Sequence, residues 1–164
     1  RDWSSDVCSS DLIYNHEVLQ TVATFDLVPR PLEDQQDWLA ARSGAFSAVV
    51  AVDEALAGTT DAVVGFGALS PYKERAAYRT SVEDSVYVRE DQRGRGVGRA
   101  VLEELVRLAG AHGFHSVMAR IVGGHEASIA LHASCGFVEA GVEREVGRKF
   151  GRWHDVTLME RLLG

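Results

Sequence analysis

The stretch SVYVREDQRGRGVGRAVLEELVRLAG, residues 85–110, constrains the fold more than any other part of the chain. A β-branched and aromatic run ends at Val88. Glycines follow at alternate positions 94, 96 and 98, and a helical pattern begins directly behind them. Strand, glycine loop and helix in immediate succession describe an α/β unit whose helix N-terminus is approached over bare backbone. The glycines let backbone N–H groups turn inward with no side chains in the way. The helix behind them adds a partial positive charge. Such a nest suits a phosphate, and Arg89, Arg93, Arg95 and Arg99 can neutralise further anionic charge. The loop lacks the Gly-Lys-Ser/Thr ending of a nucleotide P-loop. Nor is it the G-x-G-x-x-G of a dinucleotide site, and the strand expected over 115–122 carries no acid. A glycine turn with solvated arginines is the bland alternative.

The arginine cluster stands out because the 164-residue chain has a net charge of −7. That balance argues against nucleic acid or an anionic membrane as the main partner. No apolar run is long enough to span a bilayer. Two cysteines, Cys8 and Cys135, make no disulfide framework, so a cytoplasmic location is expected. The length suits one domain with its own core.

Periodicity predicts the end of a helix over 13–20, a helix after Pro31, strands over 45–53 and 61–69, and a polar loop over 70–80. Beyond it come a strand over 81–90, a helix from Gly98 to about Ala109, a strand over 115–122, and a short helix over 126–136. Two strands within 137–162 meet near Gly151. In the 98–109 helix Arg99, Glu103 and Arg107 form one stripe, with Val101, Leu105 and Leu108 opposite, as for a helix lying on a sheet. Residues 1–12, RDWSSDVCSSDL, have no clear period and resemble translated sequencing-adapter sequence. They are expected to be a non-native or disordered tail before a single domain over 13–164, the other reading being a genuine polar tail.

The segment Gln92-Arg93-Gly94-Arg95-Gly96-Val97-Gly98 resembles the pyrophosphate loop of the GCN5-related N-acetyltransferases, the GNAT superfamily. That resemblance implies a mixed, mostly antiparallel sheet with splayed central strands and flanking helices, its N-terminal strand here missing or replaced. It also implies acetyl-CoA as cosubstrate. Val86, Tyr87 and Val88 would pair with its pantetheine arm, and the loop from Arg93 to Arg99 would hold its diphosphate. IYNHEVLQTVATFD, YKERAAYRTSVEDSVYV, HEASIALHASCGF and KFGRWHDVTLM narrow the resemblance to the phosphinothricin and methionine sulfoximine/sulfone N-acetyltransferase subgroup.

An amine nucleophile must lose a proton, and the thioester oxygen must be stabilised as it gains charge. Glu83 matches the family's general-base glutamate, acting directly or through one water. Asp84 faces the other way by strand alternation, which makes it the poorer candidate. His132 stands where the subgroup places a histidine, an acid for the departing thiolate or an orienting group. Ser128, one turn earlier, could bind the phosphopantetheine arm, and His125 stands where the family usually has an asparagine. Lys73, Arg75 and Tyr78 match the subgroup's substrate segment, with arginine able to fork onto a carboxylate or phosphinate. Tyr87 and Phe25 could wall the pocket. His154 and Asp155 are adjacent on a strand and cannot form a catalytic pair. Trp153 and His154 are read as pocket or dimer contacts. His112 and His115 have no third ligand, and no metal is expected. A homodimer is expected from the resemblance. The alternatives are an acetyltransferase for another small amine or a protein N-terminus, a non-catalytic acetyl-CoA-binding module, and a fragment that does not fold.

Overall fold

The computed structural model of the protein describes residues 3–42, 44–59 and 61–164. Its elements are helices α1 (Trp3–Gln20) and α2 (Leu32–Ala40), strands β1 (Ala48–Val52), β2 (Val63–Pro71) and β3 (Ser81–Val88), helix α3 (Val97–Ala111), strand β4 (Ser116–Val122), helix α4 (Glu126–Ser134), and strands β5 (Val138–Lys149) and β6 (Arg152–Leu162). The strands form one sheet in the order β1-β2-β3-β4-β6-β5. Every pairing is antiparallel except β3 with β4. This is the mixed, mostly antiparallel sheet with flanking helices anticipated from the sequence. Among the described residues no strand precedes α1.

α3 lies across β1, β2 and β3 because its apolar residues recur at helical spacing. Val101, Leu102, Leu105, Val106 and Ala109 are buried, and they form the main core with Leu69, Val82, Val117 and Ile121. Two glycines on β2 let the helix approach. A Cβ on Gly67 would stand 2.6 Å from Val101 Cγ1, and one on Gly65 would stand 2.9 Å from Val97 Cγ1. The outer stripe closes with an Arg99–Glu103 ion pair at 2.8 Å, whereas Arg107 pairs with Glu104 instead.

α1 covers the opposite face, where Ile13, Tyr14 and Val18 pack with Val63 and Phe66. Residues 3–12, expected as a non-native or disordered tail, form the first turns of α1. Residues 1 and 2 and the Cys8 side chain lie outside the described residues. The serines and aspartates of this segment carry little helix propensity, so tertiary contacts hold the helix. Ser9 and Ser10 are buried, and Gln35 of α2 reaches Ser10 Oγ at 3.5 Å. Asn15 holds the following loop with both ends of its amide. Its Oδ1 accepts from Arg30 N at 2.8 Å, and its Nδ2 donates to Arg30 O at 2.9 Å.

β5 and β6 form a long hairpin turning at Phe150 and Gly151, both in the left-handed region (φ 51° and 72°). That geometry suits a two-residue turn matched to strand twist. Two register shifts, at Glu139/Gly141 and Glu143/Gly147, bend β5.

Candidate functional site

The parallel pairing of β3 with β4 lasts only three residues, Ser81 with Ser116, Val82 with Val117 and Glu83 with Met118. Beyond that point the strands part, although β3 runs on to Val88 and β4 to Val122. Backbone groups along the gap are left for a ligand to pair with. A cavity of about 270 Å³ opens in the split, lined by Glu83, Asp84, Arg120, His125, Ser128 and His132 among others. A groove of about 380 Å³ continues from it past Val86, Tyr87 and Val88 to Arg93, Gly94, Gly96, Gly98 and Arg99. Val86, Tyr87, His125 and Ser128 line both, so the two spaces are continuous.

The groove ends at the start of α3, whose N-cap Gly96 has φ 86°, with Gly94 at φ 73°. Both need the left-handed conformation that glycine adopts freely. Gly98 is needed for space, since a Cβ there would stand 3.2 Å from Leu131 and 3.4 Å from Val88. A bare loop, free helical N–H groups and two arginines at the far end of a long groove fit a ligand with a phosphate at one end. The side chains of Arg95 and Val97 do not line the groove. Arg95 Nη1 donates to Gln92 at 2.7 Å, and Val97 points at β2. Arg93 is held from behind by Glu17 of α1, a buried carboxylate whose other oxygen accepts from Thr21 Oγ1 at 2.7 Å.

Alternation along β3 sends Val82 and Asp84 toward α3 and α4, and Glu83, Ser85 and Tyr87 toward the other face. Glu83 is half-buried. Burial pushes its carboxyl up, the Arg120 guanidinium pulls it down, and Asp84 and Glu143 push it up again, leaving it above the usual carboxylate range. Arg120 itself pairs with Glu143 of β5 at 2.6 Å. Tyr87 lies tilted against Phe66 and edge-to-face with Tyr14, and burial pushes its hydroxyl up to about 12. It is therefore a proton-bearing donor at neutral pH.

Asp84 turns away from the Glu83 face, as alternation along the strand predicts. The face it turns to is the one α4 covers, and its Oδ2 lies 3.1 Å from His132 Nε2. The side chains are only 2% and 5% exposed. His132 Nδ1 lies 2.7 Å from the Ser128 carbonyl. Both partners are acceptors, so both ring nitrogens carry protons. Burial of the ring opposes that charge, yet the Asp84 carboxylate and the Ser128 carbonyl outweigh it, and the histidine titrates above its usual value. The neighbouring His125 is pushed the other way, by burial and then by the charges of Arg93 and His132 against the pull of Glu17.

Phe25 lines the cavity, its ring tilted against His154 at 6.3 Å. It fills the space a side chain at position 147 would need, since a Cβ on Gly147 would stand 2.3 Å from its ring. Lys73, Arg75 and Tyr78 lie on the exposed loop between β2 and β3 and line neither the cavity nor the groove. The loop leaves β2 at Pro71, opposite Val82, so it stands at the Glu83 end of the sheet. His154 Nε2 faces the Lys149 carbonyl at 3.1 Å and Asp155 Oδ1 accepts from Glu145 N at 2.8 Å, so the two do not pair. Trp153 is exposed under the Arg148 guanidinium. Among the described residues no three His, Cys, Asp or Glu side chains gather as a metal site, and no helix is long and apolar enough to cross a membrane. Sequence reasoning missed Asp84, Arg120, Glu143 and Glu17. Arg120 did leave a signal, a lone charge inside the apolar run SVMARIV.

The Acetyltransferase (GNAT) family matches residues 12–137. The L-methionine sulfoximine/L-methionine sulfone acetyltransferase of Pseudomonas paraeruginosa is 40% identical over 149 residues, 90% of this chain and 84% of that protein. A phosphinothricin acetyltransferase from Sinorhizobium meliloti, solved with acetyl-CoA, superposes with a TM-score of 0.90 at 39% identity, over 98% of this chain and 85% of that one. A Brucella melitensis structure named ribosomal-protein-alanine N-acetyltransferase gives a TM-score of 0.91 at 38% identity, over 98% and 96%.

Proposed function

Since the chain belongs to the GNAT acetyltransferase family, we propose that it moves the acetyl group of acetyl-CoA onto the amino group of a small amino acid with a tetrahedral, oxygen-rich side chain. Phosphinothricin, methionine sulfoximine and methionine sulfone are the substrates this reading names. One observation carries it: the parting of β3 from β4 just past Glu83 joins a phosphate-ended groove to a cavity holding an acid and a base.

Acetyl-CoA supplies a thioester, an acyl group activated toward amines. Gly94, Gly96 and Gly98, with Arg93, Arg99 and the backbone N–H groups of Arg95 and Val97, hold its diphosphate. Val86, Tyr87 and Val88 offer free backbone to the pantetheine arm, with His125 and Ser128 opposite. Glu83 takes a proton from the substrate ammonium. Its raised pKa strengthens it as a base. The freed nitrogen then bonds to the acyl carbon as the C–S bond breaks, and the surplus proton it still carries passes to the departing thiolate, giving the amide and free thiol. His132 has both N–H bonds committed, so it orients α4 and places positive charge beside the departing sulfur. Phe25 and Tyr87 wall the acceptor site, and Lys73, Arg75 and Tyr78 receive the substrate at its mouth. The exposed apolar side chains Val142, Val146, Phe150 and Trp153 of the β5–β6 hairpin support a homodimer, which light scattering in solution tests.

The deciding assay is thiol release from acetyl-CoA with phosphinothricin, methionine sulfoximine, methionine sulfone, methionine, spermidine and an alanine-initiated peptide. Turnover confined to the tetrahedral side chains supports the proposal. Turnover of the peptide alone supports the second reading, which the name of the Brucella melitensis relative favours. Turnover of none, with a melting temperature raised by acetyl-CoA, leaves a coenzyme-binding module.

A further inference from the structure

Beyond Ser116, β4 is apolar apart from one residue. Val117, Met118, Ala119, Ile121 and Val122 are buried, and Arg120 stands among them. Among the described residues it is also the one arginine or lysine lining the 270 Å³ cavity. The parallel register sets Glu83 beside Met118, so alternation puts Glu83, Met118 and Arg120 on the same face. A carboxylate and a guanidinium thus look into the cavity from neighbouring strands, on the side opposite the Asp84–His132 pair.

Arg120 is the exposed residue of this strand, and its guanidinium is paired. Its partner is Glu143, 2.6 Å away on β5 and reached across the whole width of β6. The two side chains are 33% and 36% exposed, so the pair is open rather than sealed in the core. A guanidinium has five N–H donors, and one carboxylate does not exhaust them.

We propose that Arg120 takes the carboxylate of the amino-acid substrate, with Glu143 as its resting partner, and so makes the enzyme select amino acids over the corresponding amines. The inference rests on the acetyltransferase reading above. A zwitterion satisfies both groups at once, its ammonium toward Glu83 and its carboxylate toward Arg120. Lys73 and Arg75, solvated on their loop, then guide the substrate in without fixing its final pose.

The test compares methionine sulfone with its decarboxylated analogue, 3-(methylsulfonyl)propylamine, at saturating acetyl-CoA. Arg120→Gln is expected to raise KM for methionine sulfone roughly tenfold to a hundredfold, the loss of a charge-assisted pair. It should leave KM for the amine and for acetyl-CoA unchanged, which erases the preference for the acid. Glu143→Gln frees the guanidinium and should lower KM for methionine sulfone. An unchanged KM for methionine sulfone in Arg120→Gln, or an equal rise for acid and amine, overturns the proposal. Should Arg120→Gln fail to fold, Arg120→Lys and Glu143→Gln decide. Partial retention of the preference with the first and a lower KM with the second support the proposal, and a higher KM in Glu143→Gln sinks it. A wild-type enzyme that acetylates no amino acid overturns the functional reading and this inference together. Active wild type with an indifferent Arg120 overturns this one alone.

Discussion

Replacing Asp84 by asparagine keeps the shape of its side chain and removes only the charge facing His132. The pair is buried, with 2% and 5% of the side chains exposed, and His132 has no second anion in contact, only the Ser128 carbonyl. Removing one partner of a buried pair typically costs about 3–5 kcal/mol, because the other is left charged and unpaired. Here histidine has an escape, since it can give up its proton, and the cost therefore depends on pH. In the wild type the folded pKa of His132 lies above its ordinary value of 6.5. The stability it contributes is fully present below about pH 6.5 and is lost as pH rises through the folded value. In Asp84→Asn burial opposes the charge and only the Ser128 carbonyl still favours it, so the pKa falls and the variant weakens relative to the wild type as pH falls. The gap between the two proteins should be widest near pH 5.5, at about 4 kcal/mol or roughly 10 °C in Tm for a chain of this size, and should narrow toward pH 8.5. Urea and thermal melts at several pH values measure it. A gap under about 1 kcal/mol at pH 5.5, or one that is the same at every pH, refutes an imidazolium–carboxylate pair here.

Glu83→Gln should lower kcat by about 10²–10⁴-fold without unfolding the protein, the range for loss of a general base. Wild-type kcat/KM should fall as pH drops through a value above the ordinary 4.5, since Glu83 must be ionised to act. Gly96→Ala meets no neighbour within 4 Å but forces alanine to φ 86°. It should cost about 1–2 kcal/mol in a melt and raise KM for acetyl-CoA. Gly98→Ala has no such strain. Its Cβ crowds Leu131 and Val88, so it should weaken acetyl-CoA binding by calorimetry with little change in Tm.

The parts of the molecule set by local rules were legible in the sequence. The apolar period of α3, the glycines before it and the turn near Gly151 each follow from chemistry within a few residues. The glycine loop belongs to the same class, since its glycines and the helix behind it are contiguous. α1 was not legible at its start, because Ser9 and Ser10 are held by contacts with residues far along the chain rather than by a pattern of their own. Alternation gave the direction of Asp84 correctly. What it could not supply was the identity of the residue waiting there, 48 positions away on α4. Arg120 and Glu143 are likewise joined across a strand that separates them, a pairing that exists only once β6 has entered the sheet.

The wall at Phe25 has a consequence for how the enzyme comes into being. Phe25 rests in the space left by Gly147, and Lys149 Nζ donates to the Thr24 carbonyl at 2.7 Å, so the first loop of the chain is pinned by its last hairpin. During synthesis, the groove residues up to Leu131 leave the ribosome before residues 147–149 can close that wall. The wall at Phe25 is therefore complete only when the β5–β6 hairpin is in place, and the same hairpin supplies β6, the strand that pairs with β4.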